Sequence, residues 1–454
     1  MMKRIFLYLH LLYACAFVAC SDDDTFSISR QNLLTFSVDT VQMDTVFSTI
    51  GSSTYTFWVF NHSNDGIRLK SVRLRQGNQT GFRVNVDGSY LDNSLGSVVN
   101  DLEVRKGDSI RVFVELTAPE TQKNEPQVVE DDLVFALESG VEQRVCLRSW
   151  AWDALRLQNL VVKNDTLIES SRPIIVYGGI KVDSLATLTI RNTMLYFHAG
   201  KGIEVFGTLM TDSATLRGDR LDHMFVNLPY DRVSGQWGDE GAIIFHSSST
   251  GNVLRNTEIR NAGLFGIRCD SAAYDSTSYR VDLQQCIIHN TAGTGIAAYN
   301  SNIRLYDCQI TNAWHDCLAV YGGKADIKHC TIAQFYPFSA PRGAAVYFTN
   351  YVGDYDYPLY GLLCDSSIMT GYEDEVWTGA LRDTAVAFEY YFTNTLIRAA
   401  EDSDSTRFRN IIWESAKDTV LQGIEHFPGI DVDNYYYDFH LDSLSRAWGL
   451  GCYR

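Results

Sequence analysis

A step of 22 residues governs the middle of this chain. VDLQQCIIHN from Val281, IRLYDCQITN from Ile303 and ADIKHCTIAQ from Ala325 align without gaps, which puts Cys286, Cys308 and Cys330 at one position of three successive repeats. Upstream, NVLRNTEIRN offers Thr257 at that position, after a longer turn around Tyr274 to Tyr279. Downstream, Ser366 and Asn394 are expected there, each after an insertion. A repeat this short cannot bury its own apolar face, so it gains a core only by stacking on its neighbours.

Within a repeat the period is two. Ile303, Leu305, Cys308 and Ile310 alternate with polar residues, with one slip of phase at a bend. That pattern, with Gly-rich punctuation, predicts strands and not helices. A second apolar run follows each bend, as at Cys317 to Val320 and Ala344 to Val346. Two or three short strands per repeat suit a right-handed parallel β-helix, whose coils stack at roughly 4.8 Å and set equivalent side chains in columns. A leucine-rich repeat is the rival, but Asn290 and Asn312 fall one position early for it and no helical return segment is present. Asn261, Asn290, Asn312 and Gln334 recur four residues past the column and are expected to bond coil to coil as stacked amides.

Residues 1–19 read as a targeting segment: Lys3 and Arg4, then an apolar run to Val18. Ala19-Cys20 resembles the lipobox of bacterial lipoproteins, with Phe17 where Leu is usual, and the resemblance implies acylation of Cys20 and anchoring in lipid. The acidic run Ser21 to Asp24 opens a tether over 20–28 and resembles the export signal of lipoproteins carried to the outer face of the outer membrane. The expected address is therefore the outer membrane, facing the exterior. A formal charge of −17 disfavours nucleic acid and anionic membrane surfaces as partners. Hydrophobic content of 45% supports a substantial core. The column cysteines read as buried thiols, because stacked side chains run parallel. With no C-x-x-C pair or H-x-x-x-H spacing, no structural metal is expected, and no cofactor; Ca²⁺ has no motif to support it.

Residues 29–152 hold seven alternating runs separated by turn-rich segments, which predicts an immunoglobulin-like sandwich. The runs FWVFN, GIRL and KGDSIRVFV resemble the Ig-like modules of bacterial surface proteins, and Trp58 and Trp150 are expected in its core. Residues 153–454 are then the β-helix with a C-terminal cap. Gly179, Val182, Ala186, Leu188, Thr189, Ile190, Val205, Gly207 and Leu209 resemble the opening coils of bacterial right-handed (pectate-lyase-like) β-helix proteins. The likeness continues through Gly218, Asp219, Arg220, Leu221, Gly235, Gln236 and Trp237, with Asp219 and Arg220 expected as a paired turn and Trp237 as a plug over an open end of the core. Asp438, Phe439, Leu441, Ser443, Ala447 and Gly449 resemble the closing segment of such proteins, which implies a seal on the last coil.

Function is expected where the period breaks. The insertion from Phe335 to Tyr360 carries Tyr336, Tyr347, Tyr351, Tyr355 and Tyr357 with Arg342, Asp354 and Asp356. A second, Gly371 to Arg382, adds Glu373, Asp374, Glu375 and Trp377. Tyr351, Tyr355, Tyr357 and Trp377 are the candidate ligand-binding residues, since aromatic rings beside carboxylates suit sugar rings. Asp354, Asp356, Asp374, Arg342, His315 and Asp316 are the catalytic candidates, although they form no motif. The leading reading is a lipid-anchored binding or adhesion scaffold for glycan. The alternatives are a polysaccharide lyase or glycoside hydrolase, and a purely structural surface protein.

Overall fold

The computed structural model describes residues 25–222, 237–339 and 341–453. The targeting segment, Cys20, Gly235 and Gln236 lie outside the described residues. The chain divides into two compact units, Met1–Trp152 and Asp153–Arg454. Both are all-β; the helical elements among the described residues are two short 3₁₀ turns, Asn93–Leu95 and Gly423–His426.

The first unit has ten strands: β1 Thr35–Phe36, β2 Thr40–Phe47, β3 Tyr55–Phe60, β4 Ile67–Leu74, β5 Phe82–Val86, β6 Ser89–Tyr90, β7 Val98–Val104, β8 Ser109–Leu116, β9 Gln127–Leu137 and β10 Glu142–Trp152. They make two five-stranded sheets, ordered β1-β3-β8-β5-β6 and β2-β10-β9-β4-β7. All pairings are antiparallel except β2 with β10. The alternating inward residues, among them Phe57, Val59, Val72, Phe82, Val112, Val114, Phe135 and Leu147, form one core. Strand β7 is missing from the sequence reading because Asn100 and Asp101 break its apolar pattern on an edge beside β4. Trp58 is not core: it is 42% exposed, on the outer face, and Trp150 is half-buried. Phe57 and Val59 take the inward positions of β3, so alternation turns Trp58 out.

Among the described residues of the second unit, 23 strands join one sheet built of parallel pairs between successive coils, and two antiparallel hairpins stand outside it. Val281↔Ile303↔Ala325 and Ile287↔Gln309↔Thr331 reproduce the step of 22. Inward residues Leu283, Cys286, Ile288, Leu305, Cys308, Ile310, Ile327, Cys330 and Ile332 are buried in a continuous core. Each coil bends just before the column position through a left-handed residue: Asn159, Asn192, Ser213, Asn256, Gln285, Asp307, His329, Ser366, Asn394 and Asn410 all have φ of 45–55°. Asn dominates because its short polar side chain tolerates that conformation best among residues with a Cβ.

This bend corrects the register after the insertions. Ser366 and Asn394 are the bend residues, and Ser367 and Thr395 stack on Cys330. The Cys330 amide donates to Ser367 Oγ at 3.0 Å. The amide column is also reduced: Asn290 donates to Asn261 at 3.1 Å, Gln334 turns to the His315 carbonyl, and the Asn312 side-chain amide has no partner among the described residues. Trp237 is fully buried inside the core, stacked on Phe197 at 4.4 Å, and not over an end. Asp219 and Arg220 do not pair with each other: Asp219 meets His198 at 2.6 Å and Arg220 meets Asp222 at 2.7 Å.

The closing segment packs along the side of several coils, the last among them. Phe427, Phe439 and Ala447 pack on Ala333, Phe335, Ile368 and Leu396, on the outward side of successive strands. Tyr437 meets His289, Tyr453 donates to Gln309 at 2.8 Å and the Cys452 amide to Thr331 at 3.3 Å. The tail thus runs back along one flank. It leaves the strands Gln309–Ala313, Thr331–Gln334 and Ile368–Gly371 buried on both faces.

Candidate functional site

The flank carrying Val281–Gln284, Thr294–Tyr306, Leu318–Lys328, Leu359–Asp365 and Phe388–Thr393 is left uncovered by the tail. Alternation sends every second residue outward, and the parallel register sets these in two columns. One column reads Asp282, Arg304, Asp326, Leu363, Tyr391; the other reads Gln284, Tyr306, Lys328, Asp365, Thr393. Between them lies a groove of about 510 Å³ lined by Gln284, Arg304, Tyr306, Asp326, Lys328, Leu363 and Asp365. Tyr306 and Leu363 on its surface, and Tyr391 one strand beyond Leu363 on the same face, are each about 40% exposed.

The polar groups of the groove are held in pairs. Arg304 donates to both carboxylate oxygens of Asp282, with Nε to Oδ1 at 3.0 Å. Lys324 Nζ meets Asp326 Oδ2 at 3.0 Å, and the Tyr279 hydroxyl donates to the same oxygen. The second oxygen of Asp326 is buried with no hydrogen-bond partner among the described residues. The Asp326 carboxylate raises the pKa of Lys324 above its ordinary value; burial, then the bond to Asp326, raises that of Tyr279. Burial pushes the Asp365 carboxyl upward, but hydrogen bonds from Thr393, Asn394 and Ser366 outweigh it and hold the group below the usual range.

Against this, the residues singled out from sequence fall in a different place and are mostly engaged. Tyr351–Val352 and Tyr355–Asp356 form a two-stranded hairpin, with Tyr355 exposed and Tyr357 half-buried behind it. Arg382 clamps that hairpin through the carbonyls of Gly353 and Asp354, the Asp356 carboxylate and the Tyr351 ring. Asp354 presents an exposed side chain. Arg342 donates to the Tyr336 carbonyl, lies 4.7 Å from the Tyr372 ring and reaches Glu373 at 3.4 Å, so the two insertions do touch. Asp374 pairs with Arg398 at 3.0 Å. Trp377 packs against the core residues Phe348, Phe392 and Phe408, because it pairs with Val346 in the inward phase. Trp377 is half-buried there, with its ring engaged by the core.

His315 is exposed beside Trp314, and Asp316 is partly buried, accepting the Ala344 amide at 2.8 Å. Burial raises the Asp316 pKa above the ordinary carboxylate range. Near it Tyr299 and Tyr321 stack at 4.6 Å, with Tyr347 beyond. A further constellation, Ser445 Oγ to His426 Nδ1 at 2.8 Å and His426 Nε2 to Glu414, has a hydrolase-like order. It is sealed: Glu414 and His426 are wholly buried, and Glu414 also accepts from Arg398, Thr370 and the Gly423 amide. This network fastens the turn Gly423–His426 to the last coil. No group of three or more His, Cys, Asp or Glu able to hold a metal is found among the described residues.

The groove residues escaped sequence reasoning because only the inward column was followed. The outward signal was present: Asp282, Arg304 and Asp326 share one position in three gapless repeats, a carboxylate, guanidinium and carboxylate in line.

Comparison with known proteins adds the following. Residues 158–334 match the family model described as a right handed beta helix region, which supports a right-handed β-helix there. No curated protein matches the chain. Among solved structures, a family 123 glycoside hydrolase from Clostridium perfringens aligns over 28% of this chain and 26% of its own length, at 8% identity and a TM-score of 0.20. The ASH/PapD-like domain of human CEP192 aligns over 26% and 85%, at 12% identity and 0.17. The catalytic unit of a thermostable GH87 alpha-1,3-glucanase from Streptomyces thermodiastaticus strain HF3-3 aligns over 80% and 89%, at 10% identity and 0.32. Scores this low carry nothing about ligand or activity.

Proposed function

We propose that this protein is a lipid-anchored outer-membrane surface protein whose Ig-like first unit carries a β-helix that binds glycan in the Asp282–Tyr391 groove. The observation that carries this is the interleaving of exposed Tyr306, Leu363 and Tyr391 with hydrogen-bonding ion pairs on one parallel face. Rings and methyl groups take the apolar faces of sugars, while fixed carboxylates and guanidinium groups take their hydroxyls. Binding is favoured over hydrolysis at this face because the carboxylate that could act is already paired with Arg304. Asp282 and Asp326 lie two strands apart, about 9.6 Å along the sheet, which approaches an inverting pair. Arg304 holds the register position between them and bonds both oxygens of Asp282, which leaves that carboxylate neutralised instead of free to activate water. Cys20, outside the described residues, is the proposed lipid attachment.

The test is a glycan panel presented to the mature protein, with Tyr306→Ala and Leu363→Ser as variants. Retention of a neutral or charged oligosaccharide that both variants weaken at least tenfold supports the groove; a panel without hits sinks it. Metabolic labelling with a fatty acid, lost in Cys20→Ser, tests the anchor, and protease shaving of whole cells tests the exterior address.

One observation favours a second reading, a lyase or hydrolase. Burial raises the Asp316 carboxyl pKa, the direction a general acid needs, and the group lies near Tyr321 and Tyr347. Turnover of any panel glycan, abolished by Asp316→Asn while binding remains, would establish it.

A further inference from the structure

The longer turn that interrupts the period before Val281 encloses a second, smaller cavity, of about 190 Å³. Thr250, Ala272, Ala273, Tyr274, Tyr279 and Arg280 are among its walls. Arg280 is only 8% exposed. One of its nitrogens, Nη1, donates to the carbonyls of His246 and Ser247 at 2.8 Å and to that of Ser249. Among the described residues no carboxylate forms an ion pair with Arg280, and its hydrogen bonds all come from Nη1, which leaves Nε and Nη2 unpaired with protein and open to solvent from the cavity. A guanidinium in a site this enclosed is costly unless something neutralises it. The nearby acids are engaged elsewhere. Asp270 is held by His246 and Arg268, and Asp275, itself on the cavity wall, accepts from Thr277 and Ser278 within its own turn.

Burial lowers the Arg280 pKa from its ordinary value, in keeping with a charge that lacks a counter-ion. Tyr279 is the wall between this cavity and the groove: its ring lines the cavity, its hydroxyl bonds Asp326, and Arg304 lies 4.9 Å from the ring. Tyr274, on the opposite wall, is fixed by its contact with Tyr360 at 4.1 Å.

We infer that this cavity is a terminal subsite for an anionic sugar residue, a uronate carboxylate or a sulfate ester, recognised by the free Nε and Nη2 of Arg280. The inference rests on the glycan reading of the adjoining groove and adds to it a charge requirement at one end. The volume admits a single pyranose, so the recognised unit is a chain end or branch. Planar bidentate contact with a carboxylate or sulfate is the geometry a guanidinium offers and an ammonium does not.

The experiment follows the thermal midpoint of the mature protein with D-glucuronate, N-acetylglucosamine 6-sulfate, D-glucose and sodium chloride at matched ionic strength. A saturable rise with one or both acidic sugars, absent with glucose and chloride, is expected, and the two acidic arms decide between carboxylate and sulfate. Arg280→Gln should abolish the rise. Because Arg280 also caps three carbonyls, Ala273→Trp provides an independent variant, filling the cavity from an exposed loop position. A response to acidic sugars equal to that with chloride overturns the inference, as does a saturable rise that survives Ala273→Trp. Neutral oligosaccharide retained at the groove with no acidic-sugar response defeats this inference alone. An acidic-sugar response without groove binding defeats the groove alone.

Discussion

Arg304 reaches back one coil to hold Asp282, two nitrogens on two oxygens, and Asp282 is the more enclosed member at 10% side-chain exposure against 46%. The asymmetry predicts a characteristic double-mutant cycle. Arg304→Gln strips the partner from a largely enclosed carboxylate and should cost about 1–2 kcal/mol. Asp282→Asn releases only a half-exposed guanidinium and should cost less than about 1 kcal/mol. The double variant should be more stable than Arg304→Gln alone. Urea denaturation of the four proteins measures this; an additive cycle would mean that the pair does not couple.

His289 links the covering tail to pH. Tyr437 lies 5.0 Å from its ring, Phe439 packs edge-on beyond, and its Nδ1 meets Thr311 Oγ1 at 2.8 Å. Burial, with the charge of Arg260, pushes its pKa down to about 3. The native imidazole thus stays neutral while the unfolded one takes up a proton below about 6.5. More protons bound in the unfolded state means stability falls as pH falls. His289 therefore contributes fully above about pH 6.5, and that contribution is lost between there and about pH 3, a span worth roughly 3–5 kcal/mol. His289→Asn should flatten the stability profile over this window. Parallel profiles for the two proteins would refute the assignment.

Trp237 and Trp58 should behave oppositely. Trp237 stacks on Phe197 and donates from Nε1 to the Arg260 carbonyl at 2.8 Å, inside the core. Trp237→Ala should cost about 3–5 kcal/mol, and Trp237→Phe less, since the ring volume is partly kept. Trp58 stands on an outer face with Arg111 5.5 Å from its ring, and Trp58→Ala should cost under about 1 kcal/mol. Each is read from the denaturant midpoint of the transition of its own unit.

Those two tryptophans also show what sequence could and could not reveal. The step from Cys286 to Cys330 was legible because a period of 22 fixes parallel register without tertiary knowledge. Phase after an insertion was not: Ser366 and Ser367 are adjacent serines, and only the left-handed bend at Ser366 decides which one stacks. Side was not legible for Trp58, whose strand alternates equally well either way until a partner sheet is known. The tail along the flank left one trace, the small and apolar run of Thr331, Ile332 and Ala333, which reads as a strand buried on both faces. The groove was written in the outward residues Asp282, Arg304 and Asp326, but ion pairs on a sheet look like solvated surface until the tail is seen to cover the other flank.

The cysteine column should stay reduced even in an oxidising compartment. Cys286, Cys308 and Cys330 are buried, and each thiol donates to the carbonyl two residues earlier, Gln284, Tyr306 and Lys328, at 3.3–3.4 Å. Burial drives the thiols of Cys286 and Cys308 well above their ordinary range, so the thiolate that disulfide exchange requires is suppressed. Of the eight described cysteines, all free, only Cys146 and Cys452 are partly exposed, and their pKa values are raised too, that of Cys452 to about 11. A thiol reagent at neutral pH should therefore react slowly with at most these two in the native protein. Unfolding without reductant should then release all eight described thiols. A yield lower by two would mean a bridge between coils, and peptide mapping across Cys286, Cys308 and Cys330 would show whether the column itself had closed.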